Sequence, residues 1–290
     1  MSRVHDALRR AEQGDLIPEE QPPAAPSDGR RLPEFLPVAG AIQGASSRLN
    51  IHPDMLREVE AIPYQPAPES HLLDLSSSHE TPAEEFRTLR TRLNHLQTLQ
   101  PLHTVVVTSP SPAEGKTFSA VNLALAQAHL AENSVLLGDF DLRRPIVHNL
   151  FQIERSPGLA DYLTGKCTFP QALRRIEGMN LYLLPAGTPV KNPLELLNMR
   201  QAKLLFEELP RIFHWAIFDT PPLLFSADAN LLATMADGTI LVVKIGSTTF
   251  DNVTRAMQSL CENNVLGIVA NGARASELYS KYTYYYSRSE

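Results

Sequence analysis

Hydrophobic and polar positions divide this chain into a patterned middle and two unpatterned ends. From about residue 80 to 274, short apolar runs alternate with amphipathic ones. Val105–Val107 stops at Thr108, Ser134–Gly138 ends at Asp139, Leu181–Leu184 precedes Pro185-Ala186-Gly187, and Trp215–Phe218 ends at Asp219. Thr239–Ile245 and Val265–Ala270 complete a set of predicted strands. Helical spacing separates them at Thr117–Ala131, Gly158–Thr164, Phe169–Ile176, Pro193–Leu197, Arg200–Leu209, Ser226–Met235 and Thr249–Asn263. Ahead of the first strand, Phe86, Leu89, Leu93 and Leu96 form an apolar stripe. Thr81 is the candidate N-cap there, with Pro82 in first position and Glu84 and Glu85 in the first turn. Glu84, Arg87 and Arg90 recur beside that stripe as a polar row, which by spacing alone is a solvated face with weak pairs. Strand and helix in alternation predict an α/β fold, a mostly parallel sheet with helices on both faces. Such sheets bind ligands at the carboxyl ends of their strands.

The ends read differently. Pro18–Pro82 holds eleven of the 23 prolines, which forbids long helices or central strands. Residues 1–79 are therefore expected to be a flexible arm, in which short pieces such as 53–61 could order. Residues 3–13 place Val4, Leu8 and Ala11 on one side of a short helix among Arg3, Arg9 and Arg10. The span 275–290 is a tail carrying five of the eight tyrosines: Tyr279, Tyr282, Tyr284, Tyr285 and Tyr286. Tyrosine on both faces between Ser, Lys and Arg suits exchangeable phosphate acceptors better than a core strand, though an aromatic edge remains the alternative.

Composition narrows the class. The 290 residues are 43% hydrophobic and 20% charged, as in a water-soluble globular chain with room for one large domain and appendages. A net charge of −6 argues against general nucleic-acid binding. Cys167 and Cys261 fit no metal spacing, and a reduced cytosolic compartment is expected. No charge-free apolar run of 18 residues occurs, so no transmembrane helix is expected, and the first thirteen residues lack the apolar stretch expected of a secretory signal.

The chemistry centres on 105–122. An apolar strand runs into a Pro/Ser-rich loop that closes on Gly115-Lys116-Thr117 and opens into a helix. Backbone N–H groups of Pro112-Ala113-Glu114-Gly115-Lys116-Thr117-Phe118 would cradle phosphates, proline excepted as a donor, with Lys116 on the β/γ oxygens and Thr117 on Mg²⁺. Pro110 stands where the usual pattern has its first glycine. Asp219, in Ile217-Phe218-Asp219-Thr220-Pro221, occupies the position that holds the metal through water. Asp139-Phe140-Asp141-Leu142-Arg143 adds two carboxylates on one face if the strand continues, one a metal ligand and one a proton acceptor, with the split left open. Helix capping is the competing role for that pair. Arg143 and Arg144 could pair with these acids or contact phosphate, and Asn271 could contact the base.

These residues together resemble the bacterial tyrosine kinases (BY-kinases), autokinases of capsule and exopolysaccharide export. The first motif is similar in Thr108-Ser109-Pro110-Ser111-Pro112-Ala113-Glu114-Gly115-Lys116-Thr117, because the family does not require that first glycine. The Asp-x-Asp-x-Arg motif matches Asp139, Asp141 and Arg143, although Gly138 departs from the apolar run before it. Asp-x-Pro matches Asp219-Thr220-Pro221, Glu-x-x-Arg-x-x-Arg matches Glu84, Arg87 and Arg90, and a tyrosine cluster ends the chain. The likeness runs from about 80 to the C-terminus and includes Asn192–Leu197 and Ser226-Ala227-Asp228.

The resemblance implies a P-loop NTPase fold and a non-specific protein-tyrosine kinase. MgATP would phosphorylate the tyrosine tail between subunits of a ring homo-oligomer built through Glu84, Arg87 and Arg90. It further implies a separate membrane activator, a chain-length regulator of polysaccharide polymerisation, and a tyrosine phosphatase. The protein would then be cytoplasmic and peripheral at the inner face of the membrane. A partition or septum-placement ATPase is the alternative. It is disfavoured by the tyrosine tail and by the absence of the extra lysine that such proteins carry early in the loop. An ATP-binding scaffold without transfer is the third.

Overall fold

The computed structural model describes residues 52–67, 70, 72, 83–260 and 265–273. The N-terminal helix expected at 3–13 and the five tail tyrosines lie outside these residues. Within the span read as an arm, Pro53–Glu58 forms a 3-10 helix and Ala61–Ile62 forms β1. In chain order there follow α1 (Ala83–Leu99), β2 (Thr104–Thr108), α2 (Lys116–Ala128), β3 (Val135–Asp139), α3 (Val147–Leu150), α4 (Leu159–Leu163) and α5 (Phe169–Ala172). Then come β4 (Arg174–Ile176), β5 (Leu181–Leu184), α6 (Pro193–Leu197), α7 (Arg200–Glu208) and β6 (Trp215–Asp219). α8 (Ala227–Met235), β7 (Gly238–Lys244), α9 (Phe250–Ser259) and β8 (Val265–Asn271) complete the described elements.

The eight strands form one sheet in the order β1-β4-β5-β3-β6-β2-β7-β8, parallel throughout except between β4 and β5. The central strands β2, β3 and β6 are buried at every residue, which is why they read as unbroken apolar runs. Their side chains alternate between two cores. Val106, Leu136, Ala216 and Phe218 face one side, where they pack with α4, α5, α7 and α8. Val105, Val107, Leu137 and Ile217 face the other, against α1 and α2. The stripe on α1 packs into that second core, with Phe86 and Leu93 buried and Leu89 and Leu96 partly so. On the first side Phe140, Phe206 and Phe218 form a cluster of tilted and edge-on rings, with centroids 4.7 to 5.6 Å apart. Gly138 is explained by that cluster: a Cβ there would lie 2.7 Å from the Phe140 ring.

One predicted element divides. Phe169–Ile176 is helical only to Ala172, and Arg174–Ile176 is strand. The reason is tertiary: β4 lies between β5 and β1, with Arg175 N donating to Glu60 O at 2.8 Å and Glu177 N to Ile62 O at 2.9 Å. The strand order positions the site. β6 lies between β2 and β3, so the phosphate-loop strand and both acid-bearing strands end side by side. Asp219 is in register with Val107 on one side and Asp139 on the other.

Candidate active site

The loop from Thr108 to Gly115 turns tightly before α2. Ala113 (φ 62°) and Gly115 (φ 96°) both adopt left-handed backbone. That φ favours glycine at 115, and a Cβ there would also meet Asn271 Nδ2 at 1.9 Å and displace it. That amide donates to Glu114 O at 3.1 Å, tying the end of β8 to the loop. The next strand over is tied as well: Thr108 Oγ1 donates to Pro221 O at 2.8 Å and Thr220 Oγ1 to Val107 O at 3.1 Å.

Lys116 and Thr117, the first residues of α2, meet the acids. Lys116 Nζ lies 2.9 Å from Asp141 Oδ2 and 3.4 Å from Asp219 Oδ1. Thr117 Oγ1 donates to Asp219 Oδ2 at 2.6 Å. Burial works against the Lys116 charge, but the two carboxylates outweigh it and hold its pKa above the ordinary value. Burial pushes Asp219 up to about 6, with Lys116 and the Thr117 bond pulling the other way. Asp139 is pushed further, to about 8, first by burial and then by the charge of Asp219. Its Oδ2 accepts from Val147 N at 3.0 Å, but its Oδ1 is buried with no partner among the described residues.

The strand does not continue to Asp141. β3 ends at Asp139, and a turn follows in which Arg144 N donates to Asp141 Oδ1 at 3.0 Å. Asp139 therefore tethers the start of α3 from inside, while Asp141 faces an open cleft of about 720 Å³. Of the residues expected at the nucleotide, Pro112, Ala113, Gly115, Lys116, Thr117, Phe118 and Arg143 line this cleft. Glu114 and Asn271 do not. Asn271 lines a neighbouring hollow of about 540 Å³, which Phe118 shares. Arg144 and Ser226 lie on the rim of the main cleft, beside Ile146 and Phe225, to which pattern reading gave no role. Phe225 is 68% exposed there. Arg143 is held in a fork by Asp228, Nε to Oδ2 at 2.7 Å and Nη2 to Oδ1 at 3.1 Å. The Ser226–Asp228 capping pattern that opens α8 was the available signal.

Asp141 and Asp219 against one ammonium leave an excess of negative charge, and one oxygen of the buried Asp139 is without a partner among the described residues. That donor set fits a hard divalent cation beside phosphate, which inverts the local pKa logic when bound. Among the described residues no group of three or more His, Cys, Asp or Glu side chains could hold a metal ion by itself, so phosphate oxygens would complete the shell. Thr117 and Asp219 could hold such a cation, with Asp141 facing the same cleft and Asp139 enclosed beside Asp219.

The row on α1 is partly committed within the chain. Arg87 pairs with Glu84 at 3.2 Å, and Arg90 Nη1 donates to Ala126 O at 3.0 Å in the last turn of α2.

Over 205 residues the chain is 37% identical to the tyrosine-protein kinase YwqD of Bacillus subtilis, spanning 70% of this chain and 86% of that one. This chain belongs to the bacterial tyrosine kinases. The tyrosine kinase etk of Escherichia coli is 33% identical over 212 residues, 72% of this chain but 29% of that protein, so this kinase spans less than a third of its length. The solved kinase domain of Escherichia coli ETK superposes with a TM-score of 0.63 at 27% identity, over 78% of this kinase and 97% of that domain. The septum site-determining protein MinD of Pyrococcus horikoshii reaches a TM-score of 0.52 at 19% identity, which shows the fold alone. No protein-family model matches the chain.

Proposed function

We propose that this tyrosine kinase, with residues 80–274 as its catalytic domain, transfers the γ-phosphate of MgATP to Tyr279, Tyr282, Tyr284, Tyr285 and Tyr286 of a neighbouring copy. The observation that carries the reading is Lys116, gripped by Asp141 and Asp219 at the floor of an open cleft. Phosphate oxygens would draw Lys116 off Asp141, freeing Oδ2 to accept the phenolic proton. The tyrosine oxygen bonds to the γ-phosphorus, the bond to the β-phosphate oxygen breaks, and ADP leaves. Asp141 suits the base because it faces the cleft, whereas Asp139 is enclosed. Mg²⁺ supplies charge neutralisation at the transferring group. The apolar rim at Ile146 and Phe225 suits an aromatic acceptor.

Glu84, Arg87 and Arg90 would join copies into a ring. Each phosphotyrosine adds roughly −1.5 to −2 charge, which repels the acidic site and releases the tail. The pathway is capsule or exopolysaccharide synthesis and export, with a membrane chain-length regulator as activator and a phosphatase to reset the tail. Among the described residues no helix is long and apolar enough to cross a membrane.

Intact-mass analysis of the full chain with MgATP, beside Lys116→Met, tests the transfer. Successive phosphate additions on the tail, absent in the variant, are expected. ATP hydrolysis without protein phosphorylation, in the presence of the activator, would overturn the reading in favour of an ATPase.

A further inference from the structure

The phosphate loop is braced from behind by a residue that pattern reading placed at the nucleotide. Glu114 sits between the two left-handed residues and is only 3% exposed. Its Oε2 accepts from Ser111 N at 2.9 Å, which closes the loop on itself. Its Oε1 accepts from Thr248 Oγ1 at 2.7 Å. Thr248 belongs to the turn between β7 and α9, 134 positions further along the chain. Both carboxylate oxygens are thus engaged, one with the loop and one with a separate element.

The turn does not need the Thr248–Glu114 bond to hold its own shape. Ser247 N and Thr248 N donate to Lys244 O at 3.1 and 2.9 Å, and Thr249 Oγ1 caps α9 by accepting from Asn252 N at 3.2 Å. The Thr248 hydroxyl also accepts from Lys244 N at 2.8 Å, which aims its single proton at Glu114. Lys244 is the last residue of β7, next to β2, so the donor stands on a rigid strand end.

We propose that Thr248 is a positioning residue for phosphate binding, acting through Glu114 to hold the 111–115 turn in its nucleotide-ready shape. The proposal rests on the reading of that loop as the phosphate site. A left-handed turn through Ala113 is costly for a residue with a Cβ, so without the brace the loop spends part of its time in other shapes. Apparent nucleotide affinity falls in proportion to the fraction that is ready, while turnover of the bound complex does not.

Thr248→Val removes the hydroxyl at nearly constant volume, and Thr248→Ser keeps it. The full chain is titrated with a fluorescent ATP analogue plus Mg²⁺. Tail phosphorylation is measured at saturating ATP, and amide exchange of 111–116 is followed without nucleotide. The valine variant is expected to bind about tenfold more weakly, with kcat within about twofold and faster loop exchange. The serine variant is expected to restore all three. Unchanged affinity and exchange in the valine variant, or failure of serine to restore them, overturns the proposal. If the unmodified chain shows no saturable MgATP binding, the phosphate-site reading itself falls and takes this proposal with it.

Discussion

Asp139 and Asp161 are both buried aspartates on the side of the sheet where the strands end, yet they are treated oppositely. Asp161, in α4, accepts from Gly158 N and Thr188 N at 3.0 Å each, from Ser156 Oγ at 2.8 Å, and from the Thr188 hydroxyl. Burial alone would raise its pKa, but those four donors outweigh it and hold the carboxyl below the ordinary range. It pins the 155–158 turn to the Pro185–Thr188 turn. Asp139 has one donor, a second carboxylate in register beside it and a bare oxygen, and it is pushed up to about 8. A satisfied buried acid is a structural joint. An unsatisfied one in a crowd of acids is the mark of a functional site rather than of a joint.

The largest expected effect breaks that comparison at Asp139. Asp139→Asn is expected to cut phosphotransfer by about 100-fold or more, as loss of a carboxylate that backs a metal-bound phosphate would. The same change is expected to relieve the nucleotide-free protein at high pH. The folded pKa of Asp139 lies above its unfolded value. The stability this contributes is therefore present below about pH 4 and is lost as pH rises through about 8. Melting curves at pH 6 and pH 9 without Mg²⁺ should show the unmodified chain losing stability and the asparagine variant losing less. Equal slopes would mean that Asp139 is already compensated.

Asp161→Asn should do the reverse. An amide nitrogen facing N–H donors leaves them buried and unpaired, at a cost of about 1–3 kcal/mol. Its folded pKa is depressed, so this stability is present above about pH 4 and lost as pH falls through the folded value. A melting point lowered by several degrees at pH 7, with kcat within about threefold, is expected. A large kcat loss at full stability would move Asp161 into the chemistry.

The smallest effect concerns Arg143 and Asp228, an ion pair with one side chain 47% and the other 1% exposed. Arg143→Ala leaves a buried carboxylate bare, and Asp228→Ala leaves only a half-solvated guanidinium. A double-mutant cycle by thermal melting should give a coupling of about 0.5–1.5 kcal/mol. A coupling of zero would make Arg143 free to serve phosphate instead.

Much of the fold was legible because its strands are buried on both faces, and the burial left continuous apolar runs. Leu181–Leu184 and Pro193–Leu197 are observed as read. β4 was not legible: Arg174-Arg175-Ile176 is strand only because β5 and Glu60–Ile62 offer it partners on either side. The role of the Glu114 side chain was not legible either. Its place inside a phosphate motif drew attention to its backbone N–H, while its carboxylate turns to Ser111 and Thr248. Thr248 carried no signal of its own, since only its partner 134 positions away gives it a role.

By itself the sequence determined the α/β class, the phosphate loop and the three acids, because strand ends, turns and nucleotide motifs are local and follow from neighbouring residues. Only the tertiary structure decided that β6 lies between β2 and β3. It also decided that Asp139 is enclosed while Asp141 faces the cleft, and that the loop leans on the turn after β7. Strand order and pKa depend on which distant groups share a dry space, and that is a property of packing rather than of neighbours along the chain.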